Sequence, residues 1–306
     1  MVLGKVVNPD NLLAPFRLDA APVRGRIARI GASALDPILR RHDYPRPAAM
    51  LLGEALALAA LVGSLLKSEG RLVVQAQGDG PVSLLVAEHQ SGGLRGYARL
   101  RDGAAAALAK AHRLAPSVLL GDGALVMTLD QGPDTAPYQG VVPLDGDTLA
   151  ACAERYVRAS EQTDTGIRLA VGEATGGDAP THWRAGGVLM QRIAGDAARG
   201  DTGEDWSRAC ALFATLSDAE LIDPELPADR LLYRLFHEEG VRMGEPAALD
   251  DRCTCNQARL TEVMRQFPAV ELHDLIEPDG FLHARCQFCA RAYFIAPSAL
   301  TQASSA

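Results

Sequence analysis

The 306-residue sequence predicts an α+β protein: a mostly antiparallel-sheet core domain with packed helices, a helical linker, and a small C-terminal four-cysteine zinc domain. Three observations predict it. Short runs rich in Val and Leu follow one another across glycine turns, the pattern of an antiparallel meander. Residues 196–252 hold fourteen Asp and Glu against six Arg and no Lys, a net of −8 that equals the charge of the whole chain. Four of the six cysteines come after residue 251. The expected domains are therefore 1–195, 196–250 and 251–306.

In chain order, the alternation of apolar and charged residues around 23–30 reads as a strand, with a short helix after it. Pro47 then opens the helix PAAMLLGEALALAALVGSLLK at a first-turn position, and Gly70 follows its end. RLVVQAQ, PVSLLVAE and LRGYARL are strands separated by Gly78-Asp79-Gly80 and Ser91-Gly92-Gly93. A second hairpin joins ALVMTLD to YQGVVPL across a loop with Gly132 and Pro133, after which Asp147 or Thr148 caps a helix to about Gln162. IRLAV and HWRAGGVLM complete the core. In the linker, Trp206, Cys210 and Phe213, then Leu231, Leu232, Leu235 and Phe236, recur at helical spacing, while Asp223, Pro224, Pro227 and Gly240 interrupt. Helices this short are not stable alone, so their apolar faces must rest on a neighbouring surface from which they can be released.

Composition excludes several classes. An apolar fraction of 48% with 22% charged residues describes a globular chain and excludes disordered, collagenous and multi-span membrane proteins. With no global positive field, nucleic acid is not an expected partner. The N-terminus lacks the unbroken apolar stretch and cleavage site of a secretory signal, which points to the cytoplasm. The apolar run 48–66 carries Glu54, Gly53 and Gly63 and reads as a buried core helix, so no membrane is expected.

The cysteines stand as Cys253-Thr254-Cys255, thirty residues, then Cys286-Gln287-Phe288-Cys289. Each short loop can direct two thiolates at one ion, and four sulfurs satisfy tetrahedral zinc. Such a closed site has no open position for water, so its role is structural or redox. About fifty residues with few large apolar side chains make a marginal domain whose folding and metal binding are one process. Spacing alone ranks a plain structural ribbon above a switch, although both pairs could oxidise internally and expel the metal. His283 could replace one sulfur, but His273 and His283 read better as exposed or supporting groups. Cys152 and Cys210 read as small buried hydrophobes. No enzyme signature survives inspection. His237-Glu238-Glu239 lacks the Pro-Cys-x-x-Cys of zinc deaminases, and Val241 stands where a metalloprotease needs its second histidine. The Gly78 and Gly121 clusters lack a Walker lysine, and there is no Gly-x-Ser-x-Gly elbow.

RRHDYP, LLGEALALAALVGSLLK, LVVQAQGDGPVSLLV, GGLRGYARL, PYQGVVPLDG, YVRASEQTDTGIRLAV and AGGVLMQ, together with the cysteine spacing, resemble the bacterial redox-regulated holdase family, the thirty-three-kilodalton heat-shock proteins. The resemblance spans nearly the whole chain. It implies one Zn(2+) per reduced chain on Cys253, Cys255, Cys286 and Cys289, and disulfides Cys253 with Cys255 and Cys286 with Cys289 when oxidised. It also implies an ATP-independent chaperone that binds unfolding client proteins after cysteine oxidation, zinc release and linker unfolding. Its implied partners are clients, a second copy in an activated homodimer, and ATP-dependent chaperones for later refolding. Two departures stand out: Asn256 where the family resemblance leads one to expect a small residue such as serine, and MGEPAALDDR, which lacks the expected aromatic. The competing reading is a zinc-ribbon nucleic-acid or protein-binding module without redox switching, for which Arg285, Arg291, Tyr293 and Phe294 would form the contact face.

Overall fold

Residues 11–18 form a strand that the sequence reading does not contain, β1 (Asn11–Leu18), and it lies at the centre of the packing described below. The computed structural model describes residues 7–66, 70–132, 135–145, 148–174, 181–194 and 202–300. They fall into two units, Met1–Asp251 and Arg252–Ala306. In the first unit β1 is followed by β2 (Val23–Ile30), α1 (Ala32–Leu39), a tight turn over Arg40–His42, and α2 (Arg46–Gly63). The meander follows as β3 (Arg71–Gly78), β4 (Val82–Gln90) and β5 (Gly93–Leu100). Then come α3 (Ala104–Leu108), α4 (Pro116–Leu120), β6 (Gly123–Asp130), β7 (Tyr138–Pro143), α5 (Leu149–Glu161), β8 (Thr165–Ala174) and β9 (His182–Arg192). The α+β class and the antiparallel core hold.

Two sheets enclose α2. One runs β1-β2-β9-β8 and the other β5-β4-β3-β6-β7, both antiparallel along these paths. Every residue of α2 from Pro47 to Gly63 is buried, because the helix is apolar on all sides and has a sheet on each. It is long and apolar enough to cross a membrane, but 89% of it is buried inside the fold. Gly53 and Gly96 let the layers close. A Cβ on Gly53 would stand 2.8 Å from Val171 of β8, and one on Gly96 would stand 2.9 Å from Leu52 of α2. The helix stops at Gly63 rather than continuing toward Gly70, with Ser64 as its C-cap donating from Oγ to Leu61 O at 2.6 Å; Gly63 itself lies close against His89. The two glycine clusters are turns. Asp122 N donates to Asp79 Oδ1 at 2.8 Å, locking one against the other. Thr148 caps α5 by accepting from Ala151 N at 3.1 Å. Asp147, Pro133 and the boundary expected at residue 195 lie outside the described residues.

Glu54 is the exception in α2. Burial pushes its carboxyl up to about 7; Arg113, 3.5 Å away, pulls it down, and Asp218 pushes it up again. A folded value above the unfolded one means the native state holds the extra proton. Stability from this group is therefore full below about pH 4.5 and declines until pH passes 7. Glu54→Gln removes that decline, worth on the order of 3 kcal/mol. The check is the thermal midpoint at pH 5 and pH 8: the variant should gain relative to the parent chain only at pH 8.

The acidic segment forms α6 (Gly203–Phe213), α7 (Asp218–Ile222) and α8 (Ala228–Phe236), followed by three short strands, β10 (Val241–Met243), β11 (Ala247–Ala248) and β12 (Asp250–Asp251). The linker is helical as the sequence predicts, and the three short strands add to it. β10 and β11 pair with β1, and β12 adds in parallel to β5. They cover strand edges that would otherwise present unpaired backbone groups. The helices cover the face of the first sheet turned away from α2: Leu12, Phe16, Leu18, Val23, Ile27, Val188 and Met190 pack with Phe213, Leu221, Leu231, Leu232, Leu235 and Phe236. Phe16 and Phe236 stack with centroids 6.1 Å apart. Beneath α7, buried Arg29 donates to the carbonyls of Glu220 and Asp223, and buried Arg184 donates to that of Ile222 at 2.7 Å. These are the carbonyls a helix C-terminus leaves unpaired. Burial, with the charge of Arg184 beside it, brings Arg29 down to about 10.

The second unit holds α9 (Gln257–Met264), α10 (Ala269–His273), the antiparallel hairpin β13 (Leu282–Arg285) and β14 (Ala292–Ile295), and α11 (Pro297–Leu300). Its apolar core is small: Leu272, Leu282 and Ile295 are buried, with Leu260, Met264, Ala284, Ala299 and Leu300 packed partly against them.

Candidate metal centre

Two chain segments build the centre. The first pair of cysteines lies immediately before α9, whose N-terminus is capped by Asn256: its side chain accepts from Arg259 N at 2.8 Å. Asparagine caps as well as serine does, so the departure at this position preserves the local structure. The second pair occupies the β13–β14 turn. Cys286 N donates to Arg291 O at 3.0 Å, Ala290 N donates to Cys286 O at 2.8 Å, and Ala290 takes a left-handed conformation with φ of 59°. The chain there folds back tightly enough to aim both sulfurs at one side.

The four sulfurs lie within 4.8 Å of one another. Cys253 Sγ stands 3.8 Å from Cys286 Sγ, and Cys255 Sγ stands 3.3 Å from Cys289 Sγ. Thiolates about 2.3 Å from one tetrahedral ion stand about 3.8 Å apart. The spacing therefore fits a thiolate cage, and all four cysteines are half-buried and outside any disulfide. With sulfur alone as donor the cage suits a soft or borderline ion such as zinc.

Tyr293 is the neighbour that spacing could not reveal. It is 8% exposed, and its hydroxyl lies 3.0 Å from Cys255 Sγ, within hydrogen-bonding distance of the sulfur. Burial disfavours the Cys255 thiolate, but the bond from Tyr293 and then those from the other three cysteines outweigh it and bring the thiol down to about 7. Cys289 moves the opposite way, pushed up to about 12 by burial and by the competing sulfurs. Of these two, Cys255 is the thiol whose surroundings favour the thiolate. Tyr293→Phe should lower metal affinity roughly 10-fold, as loss of a hydrogen bond to a ligand does, with the hairpin retained. Competition with a chromogenic chelator measures it; unchanged affinity would show the hydroxyl to be a bystander.

The histidines stand apart from the sulfurs. His283 Nε2 is 2.7 Å from Asp279 Oδ2 and its ring meets Phe294 edge-on at 4.8 Å, while the His273 side chain is 84% exposed. The four aromatic and basic residues considered as a contact face divide: Tyr293 points at sulfur, Phe294 is exposed, exposed Arg291 hydrogen-bonds Tyr293, and Arg285 Nε donates to Ala290 O at 3.0 Å. Cys152, on α5, is buried, whereas Cys210 on α6 is only partly buried.

Residues 11–296 match the family model described as Hsp33 protein. A 33 kDa chaperonin of Caulobacter vibrioides (strain NA1000 / CB15N) is 52% identical over 290 residues, which is 94% of this chain and 95% of that protein. A 33 kDa chaperonin of Escherichia coli (strain K12 / DH10B) is 35% identical over 272 residues, covering 89% and 87%. Among solved structures, the 33 kDa chaperonin (heat shock protein 33 homolog) of Thermotoga maritima shares the fold with a TM-score of 0.77 at 23% identity, covering 95% of this chain and 96% of that one.

Proposed function

The chain belongs to the Hsp33 family, and from that membership and the four converging thiols we propose a cytoplasmic, redox-regulated holdase rather than an enzyme. The broad assignment is a chaperone. The finer reading divides the chain into a core domain (1–195), an acidic linker (196–250) and a zinc-binding switch domain (251–306). Cys253, Cys255, Cys286 and Cys289 hold one Zn(2+) in the reduced state, which supplies the cross-link that the small core of the second unit lacks.

Oxidation closes the sulfurs into two pairs. For each pair, two thiols and one peroxide give one S–S bond and two waters. The pairs we propose are Cys253 with Cys255 and Cys286 with Cys289. Sulfurs in disulfides no longer serve as thiolate donors, so zinc is released and the second unit loses its main constraint. One residue separates β12 from Cys253, so disorder in the second unit reaches the strand that ties the linker to β5 by chain continuity alone. Release of α6–α8 then uncovers the apolar face of β1, β2 and β9. That face holds unfolding clients by apolar contact without ATP, a second copy enlarges it in a homodimer, and ATP-dependent chaperones take the clients on for refolding.

The observation that carries this reading is the sulfur cluster, joined by short sequence to helices that cover a large apolar face. The test is light scattering from a thermally unfolding client, comparing reduced zinc-loaded chain with peroxide-treated, zinc-depleted chain. Suppression by the oxidised form alone is expected. Equal inactivity of both would leave a structural zinc ribbon without a switch.

A further inference from the structure

An acidic protein has no electrostatic reason to gather arginines on one exposed patch, yet the register of the first sheet does this. Arg242 of β10 pairs with Arg17 of β1, Arg17 with Arg24 of β2, Arg24 with Gln191 of β9, and Gln191 with Thr165 of β8. Directly paired residues point to one face, about 5 Å apart at Cβ. Arg26 joins them two residues along β2, about 7 Å away on the same side. This is the α2 face of the sheet, since Leu13, Ala28, Ile30 and Leu189, which share its parity, belong to the α2 core. The arginines lie on the part of that face left open to solvent: Arg17, Arg24 and Arg242 are exposed and Arg26 is half-buried.

Of the four, Arg242 alone is neutralised locally, paired with Asp19 at 2.6 Å among the described residues. Arg24 Nε instead donates to the Gln191 side-chain oxygen at 3.2 Å, and Arg26 donates to its neighbour's carbonyl, Gly25 O, at 2.9 Å. Arg17 has no carboxylate within ion-pair reach among the described residues. The nearby Glu161 is taken up by Gln191 Nε2 at 3.2 Å. Like charges directly opposite each other destabilise a sheet, and burial together with the charge of Arg24 already lowers Arg26. The fold therefore sustains a repulsive arrangement that one anion would turn into an attractive one.

We propose that Arg17, Arg24 and Arg26 form an anion site on the first unit that takes a linear oligophosphate. Guanidinium forks grip phosphate oxygens in pairs, and three of them in an L-shaped array match several linked phosphates better than one. The three arginines all belong to the first unit.

Isothermal titration of the full-length, reduced, zinc-loaded protein with inorganic tripolyphosphate tests it, beside orthophosphate and a short oligothymidylate. Tripolyphosphate should bind at least ten times more tightly than orthophosphate, and more weakly as salt rises. The double variant Arg17→Gln/Arg24→Gln should lose at least ten-fold in affinity, while Arg230→Gln on α8 should not. Thermal midpoints keep the result readable if binding is weak: without ligand the double variant should melt no lower than the parent, and only the parent should gain on adding tripolyphosphate. No heat and no midpoint gain at low salt, or equal binding by the double variant, overturns the site. Tighter binding of the oligothymidylate overturns the oligophosphate assignment in favour of nucleic acid.

Discussion

Cys255→Ser is expected to strip the protein of tightly bound zinc and to unfold the second unit while leaving the α2 core of the first folded. Structural four-thiolate sites contribute about 10–16 kcal/mol to small domains, so loss of one donor should cost roughly a quarter of that, a 100- to 1000-fold fall in affinity. The second unit has no reserve against such a loss, because only Leu272, Leu282 and Ile295 are buried in its cluster. Metal content after dialysis and amide hydrogen exchange over residues 257–295 give the measurement. Protection should vanish there and persist in α2. Full zinc occupancy with unchanged protection would mean that Cys255 is not a ligand. In the client assay this variant should suppress aggregation without any oxidant, since the domain is already open.

The second large effect is expected from Phe236→Ala. Phe236 is fully buried and stacks on Phe16, so its truncation should cost about 3–5 kcal/mol, almost all from the docking of α8 on the first sheet. The inner face of that sheet rests on α2 and does not feel the change. The linker should therefore come away before the core unfolds. Expected readouts are increased binding of a dye for apolar surfaces and client protection by the reduced, zinc-loaded variant. If the variant remains inactive with zinc bound and simply melts at a lower temperature, linker docking is not what covers the client surface. Together the two variants separate the switch from the surface, since one removes a thiolate and leaves the docking contacts intact, and the other does the reverse.

Much of the site was legible because its determinants are local in sequence. Two sulfurs one or two residues apart can only point to the same place, and the sulfur cluster contains the four residues that spacing alone selects. The burial of α2 was legible for a similar reason: a helix with apolar residues on every side has no surface to offer water. The amphipathic residues of α6 and α8 told that these helices need a support. They could not tell which one, because an apolar stripe fits any apolar face.

What only the tertiary structure decided depends on register between distant segments. β1 escaped notice since a strand buried on both faces shows no alternation, Leu12 and Phe16 facing the linker helices while Leu13 faces α2. Residues 241–251 become three strands because the edges of β1 and β5 offer unpaired backbone groups, a property of those partners and not of their own side chains. Tyr293 reaches Cys255 because the β13–β14 pairing turns it inward across 38 positions of sequence. The arginine row likewise exists only once β10, β1 and β2 are paired. By itself the sequence determined which atoms could hold a metal and which faces had to be covered. The pairing of strands far apart in the chain decided what covers them, because backbone hydrogen bonds carry no sequence label and only the assembled sheet selects their register.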